Sequence, residues 1–453
     1  MHRAGGDLAG HVRQIAKVAT NRLLQPPPLG APRTVDELAA EVGATVTAAG
    51  LGAEATLRIW TDHLAPACIA VDHPRYLAFV PGAPTQLAAA FDMVVSTASI
   101  YAGSWLEAAG AAFAENAALR WVADLAGFPE SAGGTFVPGG TAGNLSALVA
   151  ARQQARRRRG MSPTRWAICV TEETHSSVAH LARAVMDVDV VVVPGDERGR
   201  LTDEALQRTV DGLPSQQRDG IFAVVATAGC TNLGVVDDLA GVADVAERHG
   251  WWVHVDGAYG GGGLAAPSVR HLYAGIERAD SFMVNPHKWL FAPFDSCALV
   301  YRDPTGARAT HSQHADYLDA VNAHDEWNPA DYGVHLSRRA RGLALWFSLA
   351  AHGTDAYRDA IEQSITVTRQ AAALIRAADH VELLLEPDLS VVVFARHGWG
   401  RADYDAWADR LLRDQRAFVA PTQHRGRPCA LLALVNPLTT IDDIADIIDS
   451  MRP

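Results

Sequence analysis

Between about residue 86 and residue 343, short apolar runs alternate with amphipathic stretches. The runs Gly134–Val137, Trp166–Val170, Val188–Val193, Ile221–Thr227, Trp252–Asp256, Ser281–Val284 and Ala298–Val300 carry few polar interruptions. That is the pattern of strands buried on both faces. Helical patterns begin near Gly143, Ser176, Thr202 and Leu239. Strands interleaved with helices predict an α/β unit built on a large, mostly parallel sheet, whose ligands bind outside the strand C-terminal ends. After Arg341 the texture changes. A long helical stretch runs past Trp346. Runs at Val381–Leu385 and Ser390–Phe394, a helix over Asp403–Arg413, a strand over Ala430–Val435 and a last helix from Ile441 predict a small α+β unit. Near the start, Val35–Gly50 has helical composition after the break Gln25-Pro26-Pro27-Pro28. Asp72–Gly82, rich in proline and aromatics, reads as an extended loop. The expected division is 1–85, 86–343 and 344–453.

Composition narrows the class. The 453 residues are 49% hydrophobic and 20% charged, an ordinary globular balance. The formal net charge of -12 disfavours nucleic acid or an anionic membrane as partner. The one basic run, Arg156 to Arg159, ends a helical pattern, where cations suit the helix dipole. Cys68, Cys169, Cys230, Cys297 and Cys429 are odd in number and far apart. That argues for a reducing compartment and against disulfides or a zinc site, so no metal is expected. No leader pattern or membrane-length apolar run appears. The expected location is the cytoplasm.

Four polar positions follow four different predicted strands. Lys288 lies in Asn285-Pro286-His287-Lys288-Trp289-Leu290-Phe291. Among apolar neighbours its pKa falls, which suits Schiff-base chemistry with a carbonyl cofactor. Taken alone, a snorkelling lysine at a strand end is the better reading. Asp256 ends a second apolar strand, and a buried carboxylate there needs a positive partner such as a protonated pyridine nitrogen. Thr141 lies in the glycine-rich turn Val137-Pro138-Gly139-Gly140-Thr141-Ala142-Gly143-Asn144, whose free N–H groups at a helix start favour phosphate. His175 lies in Thr171-Glu172-Glu173-Thr174-His175-Ser176-Ser177 and could stack on a ring or move a proton. Any one of these has a bland alternative as turn, cap or polar surface. Together, on one sheet edge, they are the parts needed to hold pyridoxal phosphate.

The motifs PGGTAGNL, THSSV, HVDGAYGG, ADSF, NPHKWLF, HADYL and SRRARGLALWFSLAAHG, in this order along the chain, resemble, over nearly its whole length, those of the group II pyridoxal-phosphate-dependent amino acid decarboxylases. The resemblance implies the aspartate aminotransferase-like fold type I of pyridoxal-phosphate-dependent transferases, with 86–343 as the cofactor domain, 344–453 as the small domain and 1–85 as a dimerisation segment. It implies that Lys288 holds the cofactor covalently, with Asp256 at the ring nitrogen, Ala258 beneath the ring and His175 stacked on it. Gly140, Thr141, Ser281 and Asn285 match phosphate-binding positions. His287 matches a residue reaching toward the substrate or the partner subunit, Tyr317 matches a mobile-loop tyrosine that reprotonates the α carbon, and Arg338 matches the first arginine of a pair after that loop.

Two departures concern the substrate. Cys230, in Thr227-Ala228-Gly229-Cys230-Thr231, stands where relatives usually carry threonine, and a thiol is the weaker hydrogen-bonder. Phe79, Val80 and Pro81 match the aromatic enzymes' pocket loop only loosely, and Tyr101 and Gly103 replace other walls. The resulting pocket, apolar but reshaped, favours an aromatic or bulky apolar L-amino acid. An acidic one would want a basic residue, for which Arg75 is the nearby candidate. The retained Tyr317 and His175 favour decarboxylation over a related aldehyde-forming oxidation. The lysine signature disfavours an aminotransferase, and the intact Lys288, Asp256 and His175 disfavour a silent scaffold. A homodimer is expected by analogy.

Overall fold

The structure, a computed structural model, describes residues 7–313 and 326–452. Seven strands, β1 (Gly133–Val137), β2 (Ala167–Thr171), β3 (Asp189–Val193), β4 (Ile221–Thr227), β5 (Trp252–Asp256), β6 (Ser281–Val284) and β7 (Cys297–Tyr301), form one sheet in the order β1-β7-β6-β5-β4-β2-β3. Strands β3, β2, β4, β5 and β6 are parallel, and β7 runs antiparallel to both β6 and β1. The expectation of a mostly parallel sheet therefore holds, with β7 reversed. Every residue of β2, β4, β5, β6 and β7 is buried, which is why their sequences read as continuous apolar runs. Alternate side chains feed the cores on the two faces: Phe282 packs with Val224 and Val255, whereas Met283 packs with Leu148 and Leu299.

Four further strands, β8 (Val381–Leu385), β9 (Val391–Arg396), β10 (Ala420–His424) and β11 (Arg427–Ala433), make an antiparallel sheet in the order β10-β11-β9-β8. Helices Thr354–Ala377, Arg401–Arg413 and Ile441–Asp449 supply Ile375, Trp407 and Ile447 to its core. The sequence reading missed β10. Its residues Ala-Pro-Thr-Gln-His lack an apolar alternation, and its proline is tolerated because the strand lies at a sheet edge.

The helix expected over Val35–Gly50 spans Val35–Val42. It opens with a Thr34–Glu37 capping box and stops at Gly43, whose φ of 65° ends the helical path. The segment before residue 82 is fastened to the small sheet's end of the molecule. Leu77 N–H donates to Phe418 O at 2.8 Å, and Ala433 N–H donates to Leu77 O at 2.9 Å. The Arg75 guanidinium donates to Asp443 at 2.7 Å and to Asp446 at 3.0 Å. Arg156 to Arg159 form the last turn of the helix Gly140–Arg159, and Arg157 and Arg159 donate to backbone carbonyls of neighbouring segments.

Candidate active site

The loops after β1, β2, β4, β5 and β6 meet at one edge of the large sheet and enclose a pocket. Gly140, Thr141, His175, Asp256, Ala258, Asn285, Lys288 and Cys230 line it, so the cofactor-side residues singled out in the sequence come together with two exceptions, Ser281 and His287.

The helix Gly140–Arg159 begins at the pocket wall, and its N-cap Gly139 gives no side-chain cap to the first N–H groups. Free N–H groups at a helix start favour an anion. A Cβ on Gly140 would come within 3.2 Å of Met283 Cε and 3.4 Å of Asn285 Nδ2, so a larger residue there would crowd the wall. On the β5 side, Asp256 is 5% exposed. Its Oδ1 accepts the Ala258 N–H at 3.0 Å, and its Oδ2 accepts Asn144 Nδ2 at 2.9 Å. Both donors are neutral. Lys288 follows β6 through a turn in which its N–H donates to Asn285 O at 2.9 Å. Burial pushes the Lys288 pKa down, and the Asp256 charge works against that shift without cancelling it. His175 caps the short helix Ser176–His180. Its Nδ1 accepts the Ser177 N–H at 3.2 Å, so the neutral ring carries its proton on Nε2.

Two buried atoms in the pocket wall, Thr227 Oγ1 and Asn285 Oδ1, have no hydrogen-bond partner among the described residues. Each such orphan costs about 1–3 kcal/mol unless a ligand meets it. A capping-free helix start, an amine whose pKa burial lowers, a buried carboxylate with only neutral donors and two orphaned polar atoms are the donor set that fits pyridoxal phosphate. Residues 52–397 match the family model described as "Pyridoxal-dependent decarboxylase conserved domain".

The chain belongs to the pyridoxal-dependent decarboxylase family.

Among its relatives are the aromatic-L-amino-acid decarboxylase of Bacillus atrophaeus, 30% identical over 84% of this chain and 81% of that one, and the L-2,4-diaminobutyrate decarboxylase of Rhizobium meliloti (strain 1021), 31% identical over 84% of this chain and 78% of that one. The solved structure of Oryza sativa TDC with PLP and tryptamine superposes with a TM-score of 0.88 over 100% of this chain and 99% of that one, at 24% identity. The fold is thus the expected one, and this decarboxylase is a lyase that uses pyridoxal phosphate.

The other expected positions lie elsewhere. Ser281 opens β6, one strand length before the pocket edge. Its hydroxyl accepts from Trp252 Nε1 at 2.8 Å and pairs with His254 Nδ1 at 2.7 Å, which removes it from the phosphate end. His287 is buried beside Lys288 but faces away from the pocket. Its Nδ1 accepts the Ser296 N–H at 3.0 Å, and its ring stacks on Phe294 at 4.5 Å. Burial, assisted by the Lys288 charge, pushes its pKa down to about 4. Phe79, Val80, Pro81, Tyr101 and Gly103 do not line the pocket of the single chain. The Phe79–Gly82 loop rests on the His287 backbone through Gly82, and Phe79, with φ of 56°, is 59% exposed. Tyr101 donates to Leu336 O at 3.3 Å, and a Cβ on Gly103 would stand 2.8 Å from that oxygen. Arg75 is held by Asp443 and Asp446. Tyr317 lies outside the described residues. Arg338 forms a buried, two-pronged pair with Glu115 at 2.7 and 2.8 Å and also donates to Phe136 O. Cys230 faces the pocket as a thiol, because burial pushes its pKa up to about 12.

Sequence reasoning assigned no role to Asn144, Thr227 or His254. A signal existed for the first, since Asn144 is four residues after Gly140 and shares its helix face.

Proposed function

We propose that the enzyme decarboxylates an L-amino acid with an aromatic or bulky apolar side chain to the corresponding amine and carbon dioxide. The observation that carries this reading is charge. Among the described residues lining the pocket Lys288 is the only Lys or Arg, and Arg75, the basic candidate near the Phe79 loop, is committed to two aspartates. A carboxylate or sulfinate side chain would find no Lys or Arg there besides Lys288 among the described residues, and its unpaired burial is costly. The similarity to an aromatic-L-amino-acid decarboxylase supports the same reading.

Bound pyridoxal phosphate supplies an aldehyde for the substrate amine and a ring that accepts the electron pair left when carbon dioxide departs. Lys288 presents an amine that burial makes easier to deprotonate. With the cofactor bound, Asp256 would hold a proton at the ring nitrogen, Ala258 and His175 would bound the ring, and Gly140, Thr141 and Asn285 would receive the phosphate. Tyr317 donates the proton that replaces carbon dioxide on the α carbon. His287 orients the backbone beside Lys288.

We also propose the division 1–85, 86–343 and 344–453, with the first segment in a homodimer interface. Leu8, Val12 and Ile15, 54%, 56% and 54% exposed, form an apolar stripe on the helix Leu8–Leu24, in which no residue is buried. A second copy is the occupant that would cover it. No helix among the described residues is long and apolar enough to cross a membrane. The five unpaired cysteines support a cytoplasmic setting.

Carbon dioxide release from a panel of L-amino acids tests the substrate class. Tryptophan, tyrosine and phenylalanine are expected to turn over fastest. Preferential turnover of 2,4-diaminobutyrate, cysteine sulfinate or glutamate contradicts the proposal.

A further inference from the structure

We infer that Asn144, His254 and Ser281 are positioning residues for Asp256, forming a buried one-way hydrogen-bond chain from the Trp252 indole that fixes the orientation of the carboxylate. This inference rests on the pyridoxal phosphate reading of the pocket.

The chain has four links. Trp252 Nε1 donates to Ser281 Oγ at 2.8 Å. Ser281 Oγ lies 2.7 Å from His254 Nδ1. His254 Nε2 lies 2.8 Å from Asn144 Oδ1. Asn144 Nδ2 donates to Asp256 Oδ2 at 2.9 Å. All five residues are buried.

Its direction follows from the two ends. An indole nitrogen only donates, and an ionised carboxylate only accepts. With Ser281 Oγ accepting from Trp252, its single hydrogen goes to His254 Nδ1. The neutral imidazole then carries its proton on Nε2 and gives it to Asn144 Oδ1. The Asn144 amide is thereby oriented with Nδ2 toward Asp256. Reversing one link sets two donors or two acceptors face to face in a dry interior. Burial also pushes the His254 pKa down, which keeps the ring neutral although the Asp256 charge pulls the other way.

The elements explain the placement. His254 is two residues before Asp256 on β5 and shares its face. Ser281 is the register partner of His254 on β6. Asn144 reaches in from the second turn of the helix whose first turn lines the pocket. Asp256 thus receives one N–H from Asn144 and one from Ala258, neither charged, and cannot rotate without losing both. A carboxylate oriented in this way presents its open side to a cation, the protonated ring nitrogen.

Two measurements test the inference. The first is ¹⁵N NMR of enzyme loaded with ¹⁵N-pyridoxal phosphate, with cofactor affinity measured in parallel. In the wild type the ring nitrogen is expected to stay protonated between about pH 6 and 9. Asn144→Leu is expected to lower the ring-nitrogen pKa and weaken cofactor binding about tenfold or more. Ser281→Ala is expected to do the same to a smaller degree, and Ser281→Thr, which keeps the hydroxyl, to restore it. Variants that lose only thermal stability, with the ring-nitrogen signal and affinity unchanged, overturn the inference. The second is the His254 tautomer in the cofactor-free wild type, read from labelled histidine. Neutral Nε2–H is expected; Nδ1–H or an imidazolium at neutral pH overturns the chain even where Asn144→Leu fails to fold. A wild type that binds no pyridoxal phosphate overturns the cofactor reading instead, and the tautomer still decides the chain.

Discussion

At Lys288, burial disfavours the ammonium and the Asp256 charge favours it, and burial is the larger effect. The neighbouring His287 shows the same physics on an imidazole, with its pKa down to about 4. An unfolded histidine titrates near about 6.5, so as pH falls the unfolded chain takes up this proton first. The stability contributed by His287 is therefore present above about pH 6.5 and lost as pH falls toward 4. For this one group the loss reaches about 3 kcal/mol. Its imidazole resonance is expected to titrate near 4, and His287→Asn is expected to flatten the decline in unfolding free energy between about pH 7 and 5. A normal titration near 6.5 would contradict the burial. Tyr317→Phe is expected to leave cofactor affinity unchanged and to lower amine formation by about 10²-fold or more; an unchanged amine yield would remove Tyr317 from the reaction. Lys288, Asp256, His175 and Thr141 were legible because each is a polar group where an apolar strand ends. Ser281 was misleading. It matches a family motif, yet its hydroxyl sits at the start of its strand, and only the pairing of His254 with Ser281 reveals its neighbours.

Elements are tied together behind the pocket by Arg338 and Glu115, whose side chains are 0% and 2% exposed. Glu115 lies on the helix Trp105–Leu125 and also accepts the Gly342 N–H at 2.8 Å, while Arg338 reaches Phe136 O on β1. Arg338→Leu would leave Glu115 buried without its cation, a loss of about 3–5 kcal/mol. Thermal unfolding of the cofactor-free protein is expected to shift down by several degrees. A shift within error would mean that the carboxylate finds another partner. Most strands of the large sheet were readable because burial on both faces leaves few polar interruptions, His254 and Ser281 among them. β10 was not, because an edge strand can carry proline and polar residues.

Across the whole molecule, the apolar stripe of Leu8, Val12 and Ile15 is expected to be covered by a second copy. Sedimentation of the wild type is expected to give a dimer, and Val12→Asp to shift it toward monomer, because a charge placed in an apolar contact is costly. A wild type that sediments as a monomer at micromolar concentration would contradict the interface. The substrate wall was the least legible part of the sequence. Phe79, Tyr101 and Gly103 do not line the pocket, and a linear pattern does not report which loops the fold carries away from it.

The convergence of Lys288, Asp256 and the helix start at Gly140 on one cofactor is tested most directly by covalent trapping. The chain has two lysines, Lys17 and Lys288, so reduction of the pyridoxal-phosphate-loaded enzyme with borohydride and peptide mapping has a sharp readout. The label is expected on the peptide containing Lys288 and absent from the peptide containing Lys17. Label at Lys17 alone, or no label after full cofactor loading, would contradict the site.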